Sequence, residues 1–444
     1  MIRDAVVIGA GLSGLGCARR LIEAGADAIV VEARPRVGGR LAGGTVGGGV
    51  VDLGGQWMSV DQPRLLDLAG ALGVASQAQP RHGRAVLDDG RGAGWFAQLA
   101  GAFAQGRAVR RITRLARAVA VDDPAGAGDA ARLDAIAVGP WLAATIGNPI
   151  ARARIAMHAE LVFAADPAGL SLLAYLARLG ATGGFAPPGP DLPGGGRDHR
   201  FVGGAHQLAD RLAAGLGDAV RLAAPVTAIE RGGGGFVVRG PAGSHAARHV
   251  VLAVPPRLAS RIAPGLPPPL VRLAAATAAG AVVKCFAAYD RAFWRDAGLS
   301  GEAYRPHGTP RAVVDASPDR GPAVLLAFVV GAAAAGWHDR DPAGRRACVL
   351  GGLGELFGEP AARPIDYLEA DWSIDPWSAG CVAGTPPGAL TAAAAPWRGS
   401  YDRIHLAGTE AAVRWPGYME GALEAGARAA AAVLGDASAA GGSA

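Results

Sequence analysis

Residues 5–32 restrict the fold more tightly than any other stretch of the chain. Ala5-Val6-Val7-Ile8 is a short apolar run, and Gly9-Ala10-Gly11-Leu12-Ser13-Gly14 follows it. A helical pattern then runs to Gly25, and a second apolar run, Ala28-Ile29-Val30-Val31, ends in Glu32. The order is strand, glycine turn, helix, strand, acid. Each part has a physical task in holding a dinucleotide. Gly9 allows the tight turn, Gly11 lets backbone approach a pyrophosphate, and Gly14 lets the helix pack closely on the strand. The helix aims free N–H groups at the phosphates, and Glu32 stands where a carboxylate accepts ribose hydroxyls. A bare GxGxxG means little in a chain with 68 glycines, so the flanking strand, helix and acid carry the inference. NAD and FAD both remain open on this stretch alone. Glu32 argues against NADP, because it would repel a 2′-phosphate.

The next loop, Ala33-Arg34-Pro35-Arg36-Val37-Gly38-Gly39-Arg40, is more than an NAD site needs. Arg34 and Arg40 suit a diphosphate lying along the sheet edge. Val50 to Trp57 reads as a strand entering a Gly54-Gly55 turn, and Pro63 to Gly73 as an amphipathic helix. From about 80 to 190 the pattern is mostly helical, with clear segments at Trp95–Ala104, Ala151–Phe163 and Leu170–Leu179. Pro187-Pro188-Gly189-Pro190 and Gly194-Gly195-Gly196 form a long breaker.

The dinucleotide fold resumes at Phe201-Val202-Gly203-Gly204 with a helix over Gln207–Leu216. A strand meander follows, over 220–222, 226–230, 236–239 and 249–254. A region from about 273 to 380 alternates strand-like runs, including Val282–Tyr289 and Val324–Val330, with helices. Ile404-His405-Leu406-Ala407 is a strand entering Gly408-Thr409-Glu410, and a helix over about Met419–Leu434 closes the chain. We therefore expect a discontinuous dinucleotide-binding domain of residues 1–78, 200–272 and 380–436. A second, substrate-binding domain takes 79–199 and 273–379, and 437–444 form a disordered tail.

The length, 444 residues, fits two or three domains. Net charge is +5, and the densest basic run is Arg107, Arg110, Arg111, Arg114 and Arg117. Their spacing makes one helix stripe without interleaved aromatics, which reads as a solvated face rather than a nucleic-acid surface. The four cysteines, Cys17, Cys285, Cys348 and Cys381, are scattered without a CxxC, as in a reducing compartment. No basic-apolar leader precedes the first strand, and the longest uncharged apolar run is too short to span a membrane. A cytoplasmic protein is expected. His245 and His249 lack a carboxylate or thiol cluster, so no metal site is expected.

In combination, several stretches resemble the flavin-containing amine oxidases, and the monoamine oxidases most of all. They are the fingerprint with Glu32, Gly38-Gly39-Arg40, Asp52-Leu53-Gly54-Gly55, Phe201-Val202-Gly203-Gly204, Val283-Lys284-Cys285, Trp377-Ser378-Ala379-Gly380-Cys381, Ala407-Gly408-Thr409-Glu410 and Gly417-Tyr418-Met419-Glu420-Gly421. The similarity runs from Val6 to about Leu434. It implies an α/β fold of the glutathione-reductase type, with a discontinuous Rossmann-like FAD-binding domain and an α+β substrate-binding domain. It also implies FAD as cofactor, a small-molecule amine as substrate and molecular oxygen as acceptor. Hydride equivalents pass from the amine α-carbon to flavin N5, and hydrogen peroxide, an aldehyde and ammonia or a shorter amine are released. Monomer and homodimer both stay open.

The resemblance also carries roles residue by residue. Lys284 is the only lysine among 43 basic residues, in an apolar strand where arginine would serve as well for a surface charge. In the family it bonds through water to flavin N5; burial would lower its pKa and suit it to assist the reaction with oxygen. Cys381 matches the cysteine bonded to the flavin 8α-methyl in monoamine oxidases. A buried inert thiol is the plain alternative, and the covalent bond is left open. Tyr418 matches one wall of the aromatic pair that flanks the amine, but the partner position is Val382. Trp415 or Trp377 offers a substitute ring, with a core tryptophan as the alternative. Gln207 matches a polar pocket residue. The remaining expected cofactor contacts are Gly9, Gly11, Ser13, Gly14, Glu32, Arg34, Gly39, Arg40, Gly54, Gly55, Gln56, Trp57, Val226, Trp377, Gly408, Thr409, Glu410, Gly417, Tyr418 and Met419. The closing helix should point its N-terminus at the flavin N1–C2=O edge.

Two rival readings keep the flavin and change the function. One is another flavin oxidoreductase, an L-amino-acid oxidase or a desaturase; the former needs a pocket arginine, which 42 arginines make impossible to single out. The other is a flavin-binding protein without turnover, against which Lys284 and Tyr418 speak.

Overall fold

Apolar runs of four to ten residues, punctuated by glycine turns, assemble into two large sheets with helices packed over them. A computed structural model describes residues 2–89, 94–185, 197–263, 265–378, 380–381, 383–393 and 397–441. The fold is α/β, as the sequence pattern implies.

The first sheet has eight strands and centres on Arg3–Ile8, which pairs in parallel with Ala28–Val31 on one side and Gly243–Leu252 on the other. Val220–Arg221 extends the sheet beyond Ala28–Val31. The long strand Gly243–Leu252 divides its pairing. Its first half joins the antiparallel meander Ala228–Gly232 and Gly235–Gly240, and its second half takes Ile404–Leu406 in parallel. The central strand alternates between two cores. Ala5 and Val7 pack with Leu15, Ala18 and Leu21 of the helix Leu12–Glu23 and with Ala429, Ala430 and Val433 of the last helix. Val6 and Ile8 face the opposite cluster with Ile29, Val31 and Val250. Burial on both faces explains why these runs are continuously apolar rather than alternating.

The second sheet has six strands in the order Asp366–Asp371, Val282–Tyr289, Ala323–Val330, Ala312–Asp315, Leu299–Tyr304 and Arg84–Leu87. Every residue of Val282–Tyr289 is buried, and Lys284 stands in register with Phe328 and Ala370. A helical layer, Trp95–Arg117, Pro149–Phe163 and Leu172–Ala181, shares its own core. Arg107, Arg110, Arg111, Arg114 and Arg117 are all exposed on the first of these helices, so the basic stripe is a solvated face.

Three local expectations change. Arg84–Leu87 is an edge strand inside the stretch expected to be helical, held in parallel by Leu299–Tyr304. The helix beginning at Trp95 continues to Arg117, well past Ala104. The closing helix runs Met419–Gly441, into the segment expected to be disordered from 437; the stretch is alanine-rich, and alanine has the highest helix propensity. The Pro/Gly breaker at 187–190 and 194–196 lies outside the described residues. Among the described residues, no helix is long and apolar enough to cross a membrane.

Candidate active site

The glycine turn is built for close approach. Gly9 has φ +104°, a region that disfavours any side chain, and it leads the strand into the helix at Leu12. A Cβ on Gly14 would lie 1.9 Å from the Gly9 carbonyl oxygen, so only glycine lets this helix rest on the turn. Gly11 occupies the position before the helix, where no side chain caps it and no acid sits in the first turn. The first-turn N–H groups are left for an anion. Glu32, at the end of the second strand, is 3 % exposed and accepts hydrogen bonds from the backbone N–H of Ala10 at 2.8 Å and of Arg34 at 2.9 Å. The acid thus braces the turn while keeping lone pairs for a ribose.

From this turn a cavity of about 570 Å³ extends into the space between the two sheets. The volume falls in the usual range for small-molecule sites. Gly9, Gly11, Ser13, Glu32, Arg34, Gly39 and Arg40 line one part of it; Gly54, Gly55, Gln56, Trp57, Val226, Lys284, Trp377, Cys381, Thr409, Gly417, Tyr418 and Met419 line the rest. Residues expected to share a site on sequence grounds, from Gly9 to Met419, therefore meet on one surface. The closing helix starts at Met419, so its N-terminus opens on the same space.

Lys284 is 5 % exposed. Its ammonium donates to the carbonyl oxygens of Asp52 and of Gly54, the latter at 2.9 Å, and to Gln56 Oε1. The ring centres of Phe286 and Phe328 lie 5.4 and 5.9 Å from it. Burial lowers its pKa from 10.5 to about 7, against the pull of Asp52. A lysine so placed carries both protonation states near neutral pH. The same surroundings hold the Gly54-Gly55 turn against the cavity wall. Gln56 Nε2 is buried without a partner, a donor left facing a missing acceptor.

Arg40 forms a two-pronged pair with Glu410 at 2.6 and 3.1 Å and donates to the Cys381 carbonyl at 2.9 Å. Burial works against its charge, and the Glu410 carboxylate more than offsets it, raising the pKa above the ordinary arginine value. Arg34 is likewise committed, to Asp375 and to Ser378 Oγ at 2.7 Å. Thr409 Oγ1 donates to the Tyr418 carbonyl at 2.8 Å and accepts from the Gly417 N–H at 2.9 Å, which fixes the entry to the last helix. Glu420 and Glu424, at the start of that helix, take backbone N–H groups of Leu65 and of Val413 and Arg414, tying it to its neighbours.

Several expected residues stand elsewhere. Gln207 does not line the cavity. Its amide donates to the carbonyls of Val202 at 2.8 Å and Gly204 at 3.1 Å, because that glycine turn leaves carbonyls that the next helix must satisfy. Trp415 is 3 % exposed and meets Tyr418 edge-on with ring centres 5.1 Å apart; it supports the ring from behind and adds no second wall. Trp377 lines the cavity beside Ser378, yet it is 39 % exposed. Glu410 and Gly408 sit behind the wall; Glu410 spends both oxygens on Arg40, since that buried charge requires a partner. Gly14 also lies behind it, under the turn. Val382 lies outside the described residues.

The structure adds lining residues that the sequence did not single out: His158, Arg178, Arg197, Tyr304, Phe328 and Trp372. For Arg178 a signal existed, a lone charge on the otherwise apolar helix Leu172–Ala181. For the others the linking contacts are long-range and leave no local trace. Apart from this cavity, His249, His405 and Asp436 bring ligand-type atoms within 4.8 Å of one another, but the two imidazoles already hydrogen-bond each other at 3.1 Å.

The cavity has what a dinucleotide needs, an open helix N-terminus and a braced acid, together with the unpartnered Gln56 Nε2 in the same lining. Residues 12–434 match the model of a family described as flavin containing amine oxidoreductase. A putative flavin-containing monoamine oxidase of Mycobacterium tuberculosis is 35 % identical over 440 residues, covering 97 % of this chain and 96 % of that protein. An L-amino acid dehydrogenase of Synechocystis is 31 % identical, covering 97 % and 95 %. The solved structure of cyclohexylamine oxidase from Brevibacterium oxydans superposes with a TM-score of 0.90 at 29 % identity, covering 99 % of this chain and 100 % of that one.

Proposed function

The chain belongs to the flavin-containing amine oxidoreductase family and oxidises an amine with a flavin, and from that premise we propose how its own residues divide the work. The cofactor is FAD. The Gly9–Gly14 turn, Ser13 and Glu32 would hold its adenosine diphosphate part, with Arg34 and Arg40 alongside. Gly54 to Trp57, Val226, Cys381, Thr409 and Gly417 to Met419 would hold the remainder. The observation that carries this reading is the single cavity shared by the glycine turn, Lys284, Cys381 and Tyr418. The two sheets support a division into a FAD-binding domain (1–78, 200–272 and 380–436) and a substrate domain (79–199 and 273–379).

When bound, the flavin supplies the two-electron chemistry, accepting a hydride equivalent from the amine α-carbon and delivering electrons to oxygen as hydrogen peroxide. Tyr418 presents a ring face that orients the neutral amine. The resulting imine is hydrolysed by water to a carbonyl product and ammonia or a shorter amine. Lys284 holds or releases one proton opposite Gln56 and the Gly54 carbonyl. The N-terminus of the helix beginning at Met419 favours negative charge next to it. An absorption spectrum of the purified protein, followed by anaerobic addition of an amine panel, tests the reading. We expect bleaching of the flavin bands, and no bleaching with any amine would sink it.

We further propose a thioether from Cys381 to the flavin 8α-carbon: the S–C bond would replace the Cys381 S–H and one 8α C–H, two protons would leave to solvent, and the two electrons released would be taken up by the flavin ring and passed on to oxygen. The fields of Arg40, Arg178 and Lys284 all act on the Cys381 sulfur, and positive surroundings favour the thiolate. After acid precipitation the yellow colour is expected in the pellet, and in the supernatant for Cys381→Ala. Free flavin from the unaltered protein would show that the thiol is inert.

A further inference from the structure

Arg178 is a buried cation without an anion. It sits on the helix Leu172–Ala181, is 8 % exposed and lines the cavity. Its guanidinium makes no ion pair or hydrogen bond among the described residues, and its Nε is buried and unsatisfied. The one carboxylate whose field reaches it is Glu410, and both oxygens of Glu410 are held by Arg40. Leaving a charge buried and unpaired is costly, and a methionine would fill the same space without that cost. What the arginine offers in return is a planar fork that matches a carboxylate with two parallel N–H···O bonds.

Its position says where such a carboxylate would be. The guanidinium lies 5.2 Å over the Tyr418 ring and 5.8 Å over that of Phe163. Tyr418 is the wall for the reacting amine on the reading above, so the anionic group and the reacting C–H belong to one short piece of substrate. The charges around it agree in sign. Of the charged lining residues Arg34 and Arg40 are balanced by Asp375 and Glu410 and the acid Glu32 stands at the glycine turn, so beside Tyr418 the unbalanced charge is the positive one of Arg178. A diamine would bring a second ammonium against this field, and a simple alkylamine would leave Arg178 unpaired.

We propose that Arg178 binds the carboxylate of the substrate and that the amine oxidised in this cavity is an α-amino acid. The proposal rests on the amine-oxidation reading and narrows its substrate. In the reaction the α-carbon gives up one hydrogen with two electrons to oxidised flavin and the nitrogen gives up one proton to solvent. That leaves a 2-imino acid. Water adds to the C=N bond and ammonia departs, so the product is a 2-oxo acid.

The test compares each amino acid with the amine that lacks only its carboxylate: L-phenylalanine with 2-phenylethylamine, L-leucine with 3-methylbutylamine. Anaerobic bleaching of the holoenzyme should favour the amino acid by about a hundred-fold in kcat/KM. Arg178→Gln should bring that ratio close to one, acting chiefly through KM for the amino acid, and Arg178→Lys should restore part of it. Benzoate, a carboxylate that cannot react, should perturb the flavin spectrum of the unaltered protein. That response needs no variant to fold. Equal or faster bleaching by the amines, a ratio untouched by Arg178→Gln, or no benzoate response overturns the proposal while leaving amine oxidation standing. Bleaching by neither class overturns the amine-oxidation reading with it.

Discussion

Lys284→Met is expected to slow the reaction of the reduced holoenzyme with oxygen by about a hundred-fold, the usual cost of losing one well-placed charged donor. Reduction by substrate should change much less, because the ammonium is turned toward Gln56 and the Asp52 and Gly54 carbonyls rather than toward the Tyr418 ring. Stopped-flow mixing of anaerobically reduced protein with oxygenated buffer measures the step directly. Unchanged reoxidation in the variant would remove Lys284 from the oxygen reaction. The variant also has a stability signature. Burial lowers the lysine pKa from 10.5 to about 7. Between those values the unfolded chain binds the extra proton and the folded chain does not, so this group makes stability rise with pH over that window. Below pH 7 the cost of the buried charge is fully present. Tm of the apoprotein should therefore climb from pH 7 toward pH 10 more steeply in the unaltered chain than in Lys284→Met, where the titrating group is gone.

Gly14→Ala is expected to be the most damaging small change in the molecule. One methyl group would lie 1.9 Å from the Gly9 carbonyl oxygen and 3.1 Å from the Ala253 side chain. Neither can yield cheaply. The carbonyl belongs to a turn at φ +104°, and the strand leading into that turn is paired on both sides. The helix Leu12–Glu23 must lift off the sheet, opening the core that Leu15, Ala18 and Leu21 share with the last helix. Overpacking of this kind costs ~1–3 kcal/mol even where neighbours adjust, and more where backbone must move. We expect apoprotein with a lowered midpoint in urea, and loss of flavin before loss of secondary structure. Gly25→Ala, at a glycine with nothing within 4 Å of the added carbon but with φ +86°, is the control for strain without collision and should cost much less. Retention of flavin and full stability by Gly14→Ala would contradict the close helix–strand contact.

The parts of this protein that were legible in the sequence are those whose cause is local. Ala5 to Glu32 could be read because an unbroken apolar run, a glycine triplet and a period of 3.6 follow one another within thirty residues. The strand Val282–Tyr289 could be read from an unbroken apolar run, and Lys284 stood out there as a lone ammonium in an arginine-rich chain. Gln207 and Trp415 stand away from the cavity for one shared reason. Each lies by a turn, and its side chain is spent locally, on the Val202 and Gly204 carbonyls in one case and against Tyr418 in the other. Which way a side chain points from a turn is not written in its spacing. Arg84–Leu87 escaped notice because an edge strand of four residues has no period to detect and is held only by a partner more than two hundred residues away.

By itself, then, the sequence determined a dinucleotide turn and its acid, since these depend on backbone geometry that glycine and short apolar runs dictate locally; the flavin entered through the resemblance of the later glycine clusters to a family. Only the tertiary structure decided how the charges are spent. Arg40 finds Glu410 across 370 positions and Arg34 finds Asp375 across 341, whereas Arg178 finds aromatic rings and, among the described residues, no carboxylate. Burial and ion pairing are properties of what surrounds a group, not of the group. The same residue type therefore becomes a structural tie at two places and a buried cation stacked on aromatic rings at a third, and the single lysine is brought down toward neutrality only by the burial that the fold imposes on it.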